Sequence, residues 1–333
     1  MLRSHDIGRR SGRSDAMGSR AIHPDMQAIL DASARTTEQL GPRAADDVAA
    51  ARRWWTAYTQ ALSRPHPEDM HVYDRIVPTD DGDVPVRVYR PGGATGRLPG
   101  LLYLHGGGFM LGDLDSSDSN AWGFAQEVGA VVVSVDYRLT PEHPYPAAFN
   151  DCYATLVWVA KNADELALDA ERIAVVGDSA GGNLGAALCL AARDRSGPAI
   201  AAQALIYMSA GTDQTSASYS EHADGPGLTT ASTFKYRDLY LPGARDTRDH
   251  YARPIVAESH AGLPPAWVHS AEIDPIRDDG RAYAAKIALS GGNVTYREAR
   301  GMIHGFLRAR FSGPAAQAEF DAICGFLRRE LLE

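Results

Sequence analysis

A serine flanked by glycines is the first candidate for chemistry in this sequence. It lies in Gly-Asp-Ser-Ala-Gly at 177–181, directly after the apolar run at 173–176 and before a stretch of small residues. This context predicts a strand, a sharp turn and a helix, with the serine hydroxyl raised on the turn. Only glycine fits where such a strand and helix approach closely, which explains Gly177 and Gly181. We therefore expect Ser179 to be a nucleophile; the structural alternative is a glycine-rich turn with an inert serine.

A base must accept the serine proton, and histidine is the residue type best suited to this role near neutral pH. The chain contains eleven histidines. In folds with a nucleophile of this kind, the chain order is serine, acid, histidine, each in a loop after a strand. Only His304, in Gly-Met-Ile-His-Gly-Phe at 301–306, lies just beyond the last predicted strand and before the last predicted helix. His304 is therefore the predicted base.

An acid that orients the histidine should come from the loop before it. The segment Glu-Ile-Asp-Pro-Ile-Arg-Asp at 272–278 follows a predicted strand. Asp274 is the first choice, because Pro275 disfavours helical backbone angles at the residue before it and leaves that residue extended. Asp278 is the second candidate. A structural alternative for Asp274 is that it caps the following helix.

A second glycine motif, His-Gly-Gly-Gly-Phe at 105–109, directly follows an apolar strand. Consecutive glycines cost backbone entropy, so a chain keeps them where bare N–H groups must reach a ligand. In acyl transfer, such groups stabilise the oxyanion that forms on the attacked carbonyl. The predicted donors are Gly107, Gly108 and Ala180. The alternative is a phosphate-binding loop, but no nucleotide-binding glycine motif follows a strand in this chain.

The strands that must position these groups are almost wholly apolar, which indicates a sheet covered on both faces. They alternate with helical stretches, so the predicted fold is α/β, a mostly parallel sheet flanked by helices. An antiparallel pair at 76–78 and 84–89 precedes them. The predicted parallel strands are 101–104, 130–135, 173–176, 204–207, 266–269 and 294–296, and the predicted helices lie near 121–128, 147–161, 182–193, 277–289 and 314–332.

Two segments depart from this alternation. Residues 22–62 have the apolar spacing of two helices. Residues 211–258 are rich in Ser, Thr, Asp, Gly and aromatic residues without a clear strand, and an insertion of this kind is most simply a cap. The predicted organisation is an arm at 1–20, N-terminal helices at 21–70, a catalytic core at 71–210 and 259–333, and a cap insertion at 211–258. Residues expected to shape a substrate pocket are Phe109, Met110, Tyr207 and Met208.

Charge and composition narrow the possible partners. The 333 residues have a net charge of -9 and form no obvious Lys/Arg cluster on a helix, which argues against nucleic acid. No apolar run approaches the roughly 18 residues of a spanning helix, so we expect no stable membrane anchor. Three widely spaced cysteines indicate a reducing compartment, and we expect a cytoplasmic protein. His66 and His71 lack the spacing of metal ligands, so we expect no metal.

The first twenty residues contain five arginines among Gly and Ser, without the apolar centre of a secretory signal. We expect a disordered arm there. The alternative is a targeting peptide, because some targeting peptides share this Arg- and Ser-rich, acid-poor composition.

Five motifs together resemble the hormone-sensitive-lipase-like esterases, also called family IV of the bacterial lipolytic enzymes. The resemblance extends from about residue 76 to the C-terminus. Thr140 stands where the family usually has Ala, and we expect no consequence. The motifs are the glycine motifs at 105–109 and 177–182, Asp-Tyr-Arg-Leu-Thr-Pro-Glu at 136–142, Asp-Pro-Ile-Arg-Asp at 274–278 and His-Gly-Phe at 304–306.

The resemblance implies an α/β-hydrolase core with a helical cap built from the N-terminal segment and the insertion. It also implies activity on short to medium acyl esters, and it implies that dimers are common. No cofactor is needed, because Ser179 would attack the ester carbonyl and water activated by His304 would then release the acid. Two alternatives stay open: an amidase or peptidase with the same three residues, and a small-molecule receptor that has lost catalysis.

Overall fold

A mixed eight-stranded sheet forms the centre of the computed structural model, which describes residues 21–43 and 47–333. The strand order is β1-β2-β4-β3-β5-β6-β7-β8. β1 and β2 pair antiparallel, as do β2 and β4, and all other pairs are parallel. The strands are β1 (His71–Val77), β2 (Val84–Arg90), β3 (Leu98–Leu104), β4 (Val131–Val135), β5 (Leu168–Asp178), β6 (Ala202–Ile206), β7 (Ala266–Ile273) and β8 (Val294–Ile303).

Helices follow most of the parallel strands, as the sequence pattern predicts for an α/β fold. Short 3-10 turns at Pro24–Met26, Pro254–Val256 and Phe306–Ala309 complete the elements of the described ranges. The helices are α1 (Gln27–Leu40), α2 (Val48–Leu62), α3 (Asp118–Val128), α4 (Ala147–Lys161), α5 (Ala180–Asp194), α6 (Ala217–Glu221), α7 (Thr230–Tyr240), α8 (Arg277–Leu289) and α9 (Pro314–Leu332).

The two faces of the sheet belong to two separate apolar clusters. In β3, Leu102 packs in one cluster while Leu101 and Tyr103 pack in the other, since successive side chains of a strand point to opposite faces. Leu184 of α5 covers the first face, and Phe320 of α9 covers the second. Burial on both faces explains why these strands read as continuous apolar runs and were predictable.

The last strand is longer than the sequence pattern predicts. The predicted strand ends at 296, but β8 continues to Ile303. β8 is an edge strand that pairs only with β7. Its first half, residues 294–298, alternates between half-buried and exposed residues. Polar residues such as Arg297 and Arg300 therefore belong to the strand although they interrupt its apolar pattern.

The start of the N-terminal helices is fixed to the core by polar contacts of Asp25. The carboxylate of Asp25 accepts hydrogen bonds from the backbone N–H groups of Ala315 and Ala316 at 2.8 and 3.0 Å. These N–H groups begin α9 and have no acceptor within the helix. The expectations for residues 1–20 lie outside the described residues.

The segment 211–258 contains α6, α7 and one 3-10 turn, without a strand. Asp279 in the first turn of α8 connects this segment to the core, because its carboxylate accepts hydrogen bonds from Thr212, from Tyr219 and from the N–H of Ala210 at 2.6, 3.0 and 2.9 Å. Burial raises the pKa of Asp279 to about 6, although these donors oppose the shift. Within 21–43 and 47–333, no helix is both long and apolar enough to cross a membrane.

Candidate active site

Ser179 lies on the sharp turn between β5 and α5. Its backbone has φ 55° and ψ -114°, a conformation that is costly for a residue with a side chain. The turn is held by a hydrogen bond of 2.8 Å from the N–H of Ser179 to the carbonyl oxygen of Ile206. A Cβ at Gly181 would overlap the carbonyl oxygen of Leu104, so the close approach of α5 to β3 requires glycine there. This geometry raises the hydroxyl above the end of the sheet.

A chain of hydrogen bonds joins Ser179 to His304 and Asp274. The serine Oγ is 2.9 Å from His304 Nε2, and His304 Nδ1 is 2.7 Å from an Asp274 oxygen. The other Asp274 oxygen accepts the N–H of Ile276 at 3.0 Å. Asp274 is completely buried, and His304 exposes 11% of its side chain. The three predicted residues, which are far apart in sequence, therefore meet at the ends of β5, β7 and β8.

The second candidate acid, Asp278, lies elsewhere. It is in the first turn of α8, where it pairs with Arg277 at 3.0 Å and Arg281 at 2.9 Å, and it accepts the N–H of Ser218. The ring of Tyr207 packs against the imidazole of His304, with 4.8 Å between the two ring centroids. The geometry therefore assigns Asp274, not Asp278, to the imidazole.

Two glycines with positive φ form the loop beside the serine. Gly107 has φ 143° and Gly108 has φ 63°. A Cβ at Gly107 would overlap the carbonyl oxygen of Leu111, so only glycine fits at this position of the turn. No hydrogen bond within the described residues uses the N–H of Gly107 or Gly108, and Ala180 is the first residue of α5. All three residues line the same cavity as Ser179, an arrangement that suits the binding of an oxyanion by their N–H groups.

Asp178 connects this loop to the nucleophile turn. Its carboxylate accepts the N–H of Gly106 at 3.0 Å and the hydroxyl groups of Tyr103 and Tyr207 at 2.8 and 3.2 Å. Asp178 is the residue before Ser179, so the glycine loop and the turn that carries Ser179 are joined through one carboxylate. The sequence motif contains Asp178, but the motif alone does not predict this anchoring role.

The neighbouring histidine supports the loop by stacking as well as by hydrogen bonding. The imidazole of His105 is fully buried and lies on the ring of Tyr137 with 4.2 Å between centroids. Its Nδ1 is 3.1 Å from the carbonyl oxygen of Gly106. Burial lowers the pKa of His105, which favours the neutral form. The neutral imidazole is thus held against the start of the glycine loop.

Helix α2 is attached to the other side of this loop. Arg52 donates hydrogen bonds of 3.0 Å to the carbonyl oxygens of Met110 and Thr140. It also forms a two-bond ion pair with Glu142 at 2.8 Å. Thr140 donates its hydroxyl to the carbonyl oxygen of Phe109 at 3.2 Å. A residue from the N-terminal helices therefore helps to position the turn that follows the three glycines.

A cavity of about 450 Å³ opens over Ser179 and His304. Its walls come from three parts of the chain: the core loops, the N-terminal helices and the segment 211–258. Phe109 and Tyr207, both predicted to shape the pocket, line it. Tyr219 and Tyr236 of the insertion, whose aromatic residues the sequence also makes candidates for the pocket, line it as well. The contributions that were not predicted are Trp54, Trp55 and Tyr58 from α2, and Arg308.

The other two predicted pocket residues do not line this cavity. Met110 is turned toward α2, where it packs with Ala51 and Leu111. Met208 is fully buried beneath Gly182 at the start of α5. Adjacent residues in a tight loop point in different directions, so proximity in sequence to Phe109 and Tyr207 was a poor guide. The aromatic spacing of α2 was the available signal for the missed wall.

Comparisons with known proteins agree with this geometry. A family model for the alpha/beta hydrolase fold matches residues 101–308. Carboxylesterase NlhH of Mycobacterium tuberculosis is 41% identical over 318 residues, which are 93% of this chain and 96% of that protein. The chain belongs to the hormone-sensitive-lipase-like α/β hydrolases. Another similar protein of this kind, the ethyl acetate hydrolase of Pseudomonas putida, is 32% identical over 86% of this chain and 92% of its own length.

Solved structures give the same result for the fold. The crystal structure of a thermostable esterase from Pseudomonas putida ECU1011 matches with a TM-score of 0.87 and 34% identity, covering 95% of this chain and 99% of that one. The predicted fold class, an α/β-hydrolase with a mostly parallel sheet, is thus confirmed. In the part of the chain that is described, no group of three or more His, Cys, Asp or Glu side chains could hold a metal ion.

Proposed function

We propose that this protein is a carboxylic ester hydrolase whose catalytic residues are Ser179, His304 and Asp274. The observation that carries the proposal is the hydrogen-bonded chain from carboxylate to imidazole to hydroxyl, at 2.7 and 2.9 Å, beside N–H groups without a protein acceptor. The names of its relatives, which include carboxylesterases and esterases, support the same reaction.

In the first half of the reaction, Ser179 Oγ attacks the ester carbonyl while its proton passes to His304 Nε2. The carbonyl oxygen becomes an oxyanion and accepts hydrogen bonds from Gly107, Gly108 and Ala180. Asp274 stabilises the imidazolium and holds its tautomer. The imidazolium then donates its proton to the leaving alkoxide, so an alcohol departs and an acyl group stays on the serine.

In the second half, a water molecule attacks the acyl carbonyl and gives a proton to His304. The new oxyanion uses the same N–H groups. Collapse of this intermediate breaks the bond to Ser179 Oγ, which takes the proton back from the imidazolium, and the carboxylic acid leaves. The protons move only between Ser179, His304, water and the leaving alkoxide, and no electrons are exchanged with another group. These steps therefore require no cofactor.

The cavity supports short to medium acyl esters as substrates. A volume of about 450 Å³ lies within the usual range for small-molecule pockets. The aromatic side chains of Trp54, Tyr58 and Tyr236 supply apolar walls close to the reacting serine. We also propose that residues 21–70 and 211–258 together form a cap over the core of residues 71–210 and 259–333, since both segments supply walls of the cavity.

A chain-length series with a matched amide tests this function. p-Nitrophenyl esters from acetate to palmitate would be compared with butyryl p-nitroanilide, for the wild type and for Ser179→Ala. We expect the highest kcat/KM with short to medium esters, a much lower value with the anilide, and a loss of roughly 10⁴ in kcat in the variant. A preference for the anilide would instead indicate an amidase, and no turnover of any substrate would favour a receptor.

We further propose that the protein acts in the cytoplasm and that it forms a homodimer. Supporting the location, Cys152, Cys189 and Cys324 are all buried as free thiols, and burial raises the pKa of each thiol. Supporting the dimer, β8 is an edge strand with no further strand paired to its outer side in the described residues. Light scattering coupled to size exclusion would give the mass in solution, and a monomer mass at micromolar concentration would contradict the dimer.

A further inference from the structure

Arg308 lines the candidate active site but has no role in the proposed reaction. It lies in the 3-10 turn Phe306–Ala309, four residues after His304, and its side chain borders the same cavity as Ser179. Its guanidinium carbon is 4.9 Å from the centre of the Trp55 ring, so the indole of α2 covers one face of the cation. An arginine is thus held beside the nucleophile.

The guanidinium lacks the partners that buried arginines usually have. Its Nε is buried without a hydrogen-bond partner, and among the described residues no carboxylate lies within ion-pair distance of it. Two other arginines of the same cavity have acceptors for their terminal N–H groups. Arg237 donates to the carbonyl oxygens of Thr212 and Arg245, although its Nε, like that of Arg308, is buried without a partner, and Arg253 pairs with Asp213 at 2.6 Å. A buried N–H donor without an acceptor is costly, so the half-buried side chain of Arg308 has at least one donor group that no protein atom satisfies.

The nearest groups do not supply that acceptor. The carboxylate of Asp178 attracts Arg308 through space, but its oxygens already accept three hydrogen bonds from the glycine loop and two tyrosines. A second, small space of about 20 Å³, which Arg308 also lines, has room for one water molecule. A guanidinium has five N–H donors, so donors remain for the main cavity.

We propose that Arg308 is a specificity residue for esters that carry a carboxylate. This inference rests on the proposed ester hydrolysis and names its substrate class. A carboxylate accepts two parallel hydrogen bonds from a guanidinium, a geometry that an ester carbonyl or an ammonium group cannot reproduce. The carboxylate can belong to the acid part, as in half-esters of dicarboxylic acids, or to the alcohol part, as in acylated hydroxy acids.

Two pairs of isosteric esters distinguish these sources. Monoethyl succinate is compared with ethyl levulinate, and 3-acetoxypropanoate with 4-acetoxy-2-butanone, where a methyl group replaces the charged oxygen. Acid release at neutral pH is followed by titration. For at least one pair, we expect the wild type to have a kcat/KM about tenfold higher for the anionic ester, equal to about 1.4 kcal/mol. The pair that shows this preference identifies the side of the ester that carries the carboxylate.

Variants then assign the preference to this side chain. Arg308→Met should lower the ratio of anionic to neutral kcat/KM by about tenfold, and Arg308→Lys, which keeps the charge but loses the planar fork, should lie between it and the wild type. The matched control is Arg300→Met, which removes a charge from an exposed position of β8 outside the cavity. This control should keep the wild-type ratio.

The outcomes separate this inference from the proposed function. Hydrolysis of the neutral esters without a preference for either anionic partner overturns the assignment of Arg308 and leaves ester hydrolysis intact. A wild-type preference that survives in a folded Arg308→Met protein, as judged by circular dichroism, also overturns it. If Arg308→Met does not fold, competitive inhibition of the wild type decides: butyrate must inhibit more strongly than butyramide, and equal inhibition contradicts the proposal. Failure to hydrolyse any of the four esters counts against the proposed function itself.

Discussion

The carboxylate of Asp274 has no access to solvent, so its interactions must satisfy it completely. One oxygen faces His304 Nδ1, and the other accepts a backbone N–H two residues further along. Asp278, only four residues away, serves two arginines instead. The same short segment thus contains two aspartates with separate tasks, one for the imidazole and one for the surface of α8.

Replacement of each aspartate by asparagine separates these tasks. In Asp274→Asn, an amide would favour the wrong tautomer of His304, and we expect kcat to fall by roughly 10⁴. In Asp278→Asn, only partly exposed ion pairs are weakened, so kcat should stay within about threefold of the wild type. Hydrolysis of p-nitrophenyl butyrate measures both. Equal losses in the two variants would contradict the assignment of Asp274.

The oxyanion loop allows a test in which a single methyl group is added. In Gly107→Ala, the new Cβ would overlap the carbonyl oxygen of Leu111, and the N–H group would move away from the oxyanion. We expect kcat to fall by about 10²- to 10³-fold with a smaller change in KM. The control is Gly96→Ala, at a positive φ of 72° with open space around it. It should cost about 1 kcal/mol of stability and leave kcat unchanged.

A wild-type kcat in Gly107→Ala would contradict the proposed use of this loop. Urea unfolding of both variants shows whether a loss of activity merely follows a loss of stability. Because both substitutions strain a backbone with positive φ, comparable destabilisation with different kcat values would isolate the effect on the oxyanion.

Helix α9 is attached to the edge of the sheet through one carboxylate. Glu319 accepts a hydrogen bond from His269 of β7 at 3.0 Å and one from Arg297 of β8 at 2.8 Å. Burial alone would raise the pKa of Glu319, but these hydrogen bonds and the charges of the two partners lower it to about 2, against 4.5 for a free side chain. The interaction therefore joins α9 to the two strands that present Asp274 and His304.

Lowering the pH should weaken this attachment of α9 to the sheet. Since the pKa of Glu319 is lower in the folded state, its stabilisation is complete above pH 4.5 and is lost as the pH falls from 4.5 toward 2. Glu319→Gln should lower the free energy of unfolding at neutral pH by about 2 kcal/mol, the size of a hydrogen bond to a charged group, since burial lowers the pKa of His269 and leaves Arg297 as the charged partner. The difference from the wild type should shrink as the pH is lowered through that window. Urea unfolding at several pH values measures it.

The opposite trend of Asp279 does not disturb this comparison. Its pKa is raised to about 6, so its contribution to stability is lost as the pH rises from 3.8 to 6. That change is the same in both proteins and cancels in the difference. A wild-type minus Glu319→Gln difference that stays constant from neutral pH down to pH 3 would contradict the role of Glu319.

The elements were predictable where burial is complete and less so at the edge. β4 and the part of β5 from residue 173 onward are covered on both faces, so their apolar runs were sufficient, whereas the partly exposed start of β5 at 168–172 was not predicted. The end of β8 was missed because one face of an edge strand remains polar. Met110 and Met208 were expected in the pocket, but their directions depend on a tight loop and on the packing of α5, which no periodicity encodes.

The site itself joins parts of the chain that are far apart. Ser179 and His304 are 125 positions apart and meet because parallel strands end at one edge of the sheet. The motifs revealed these residues, since strained turns and bare N–H groups demand particular residue types. The walls of the cavity could not be predicted in the same way, because α2 and the insertion reach the site only through tertiary packing, for example through Arg52.

Labelling with a fluorophosphonate tests most directly whether these distant groups act together. The reagent forms a stable bond only with a serine that is activated by a base and faces an oxyanion site. We expect one adduct per chain, located on Ser179 by peptide mass spectrometry, formed in proportion to the loss of esterase activity and absent in Ser179→Ala. Loss of activity with the adduct on another residue, or activity within tenfold of the wild type in Ser179→Ala, would contradict the mechanism.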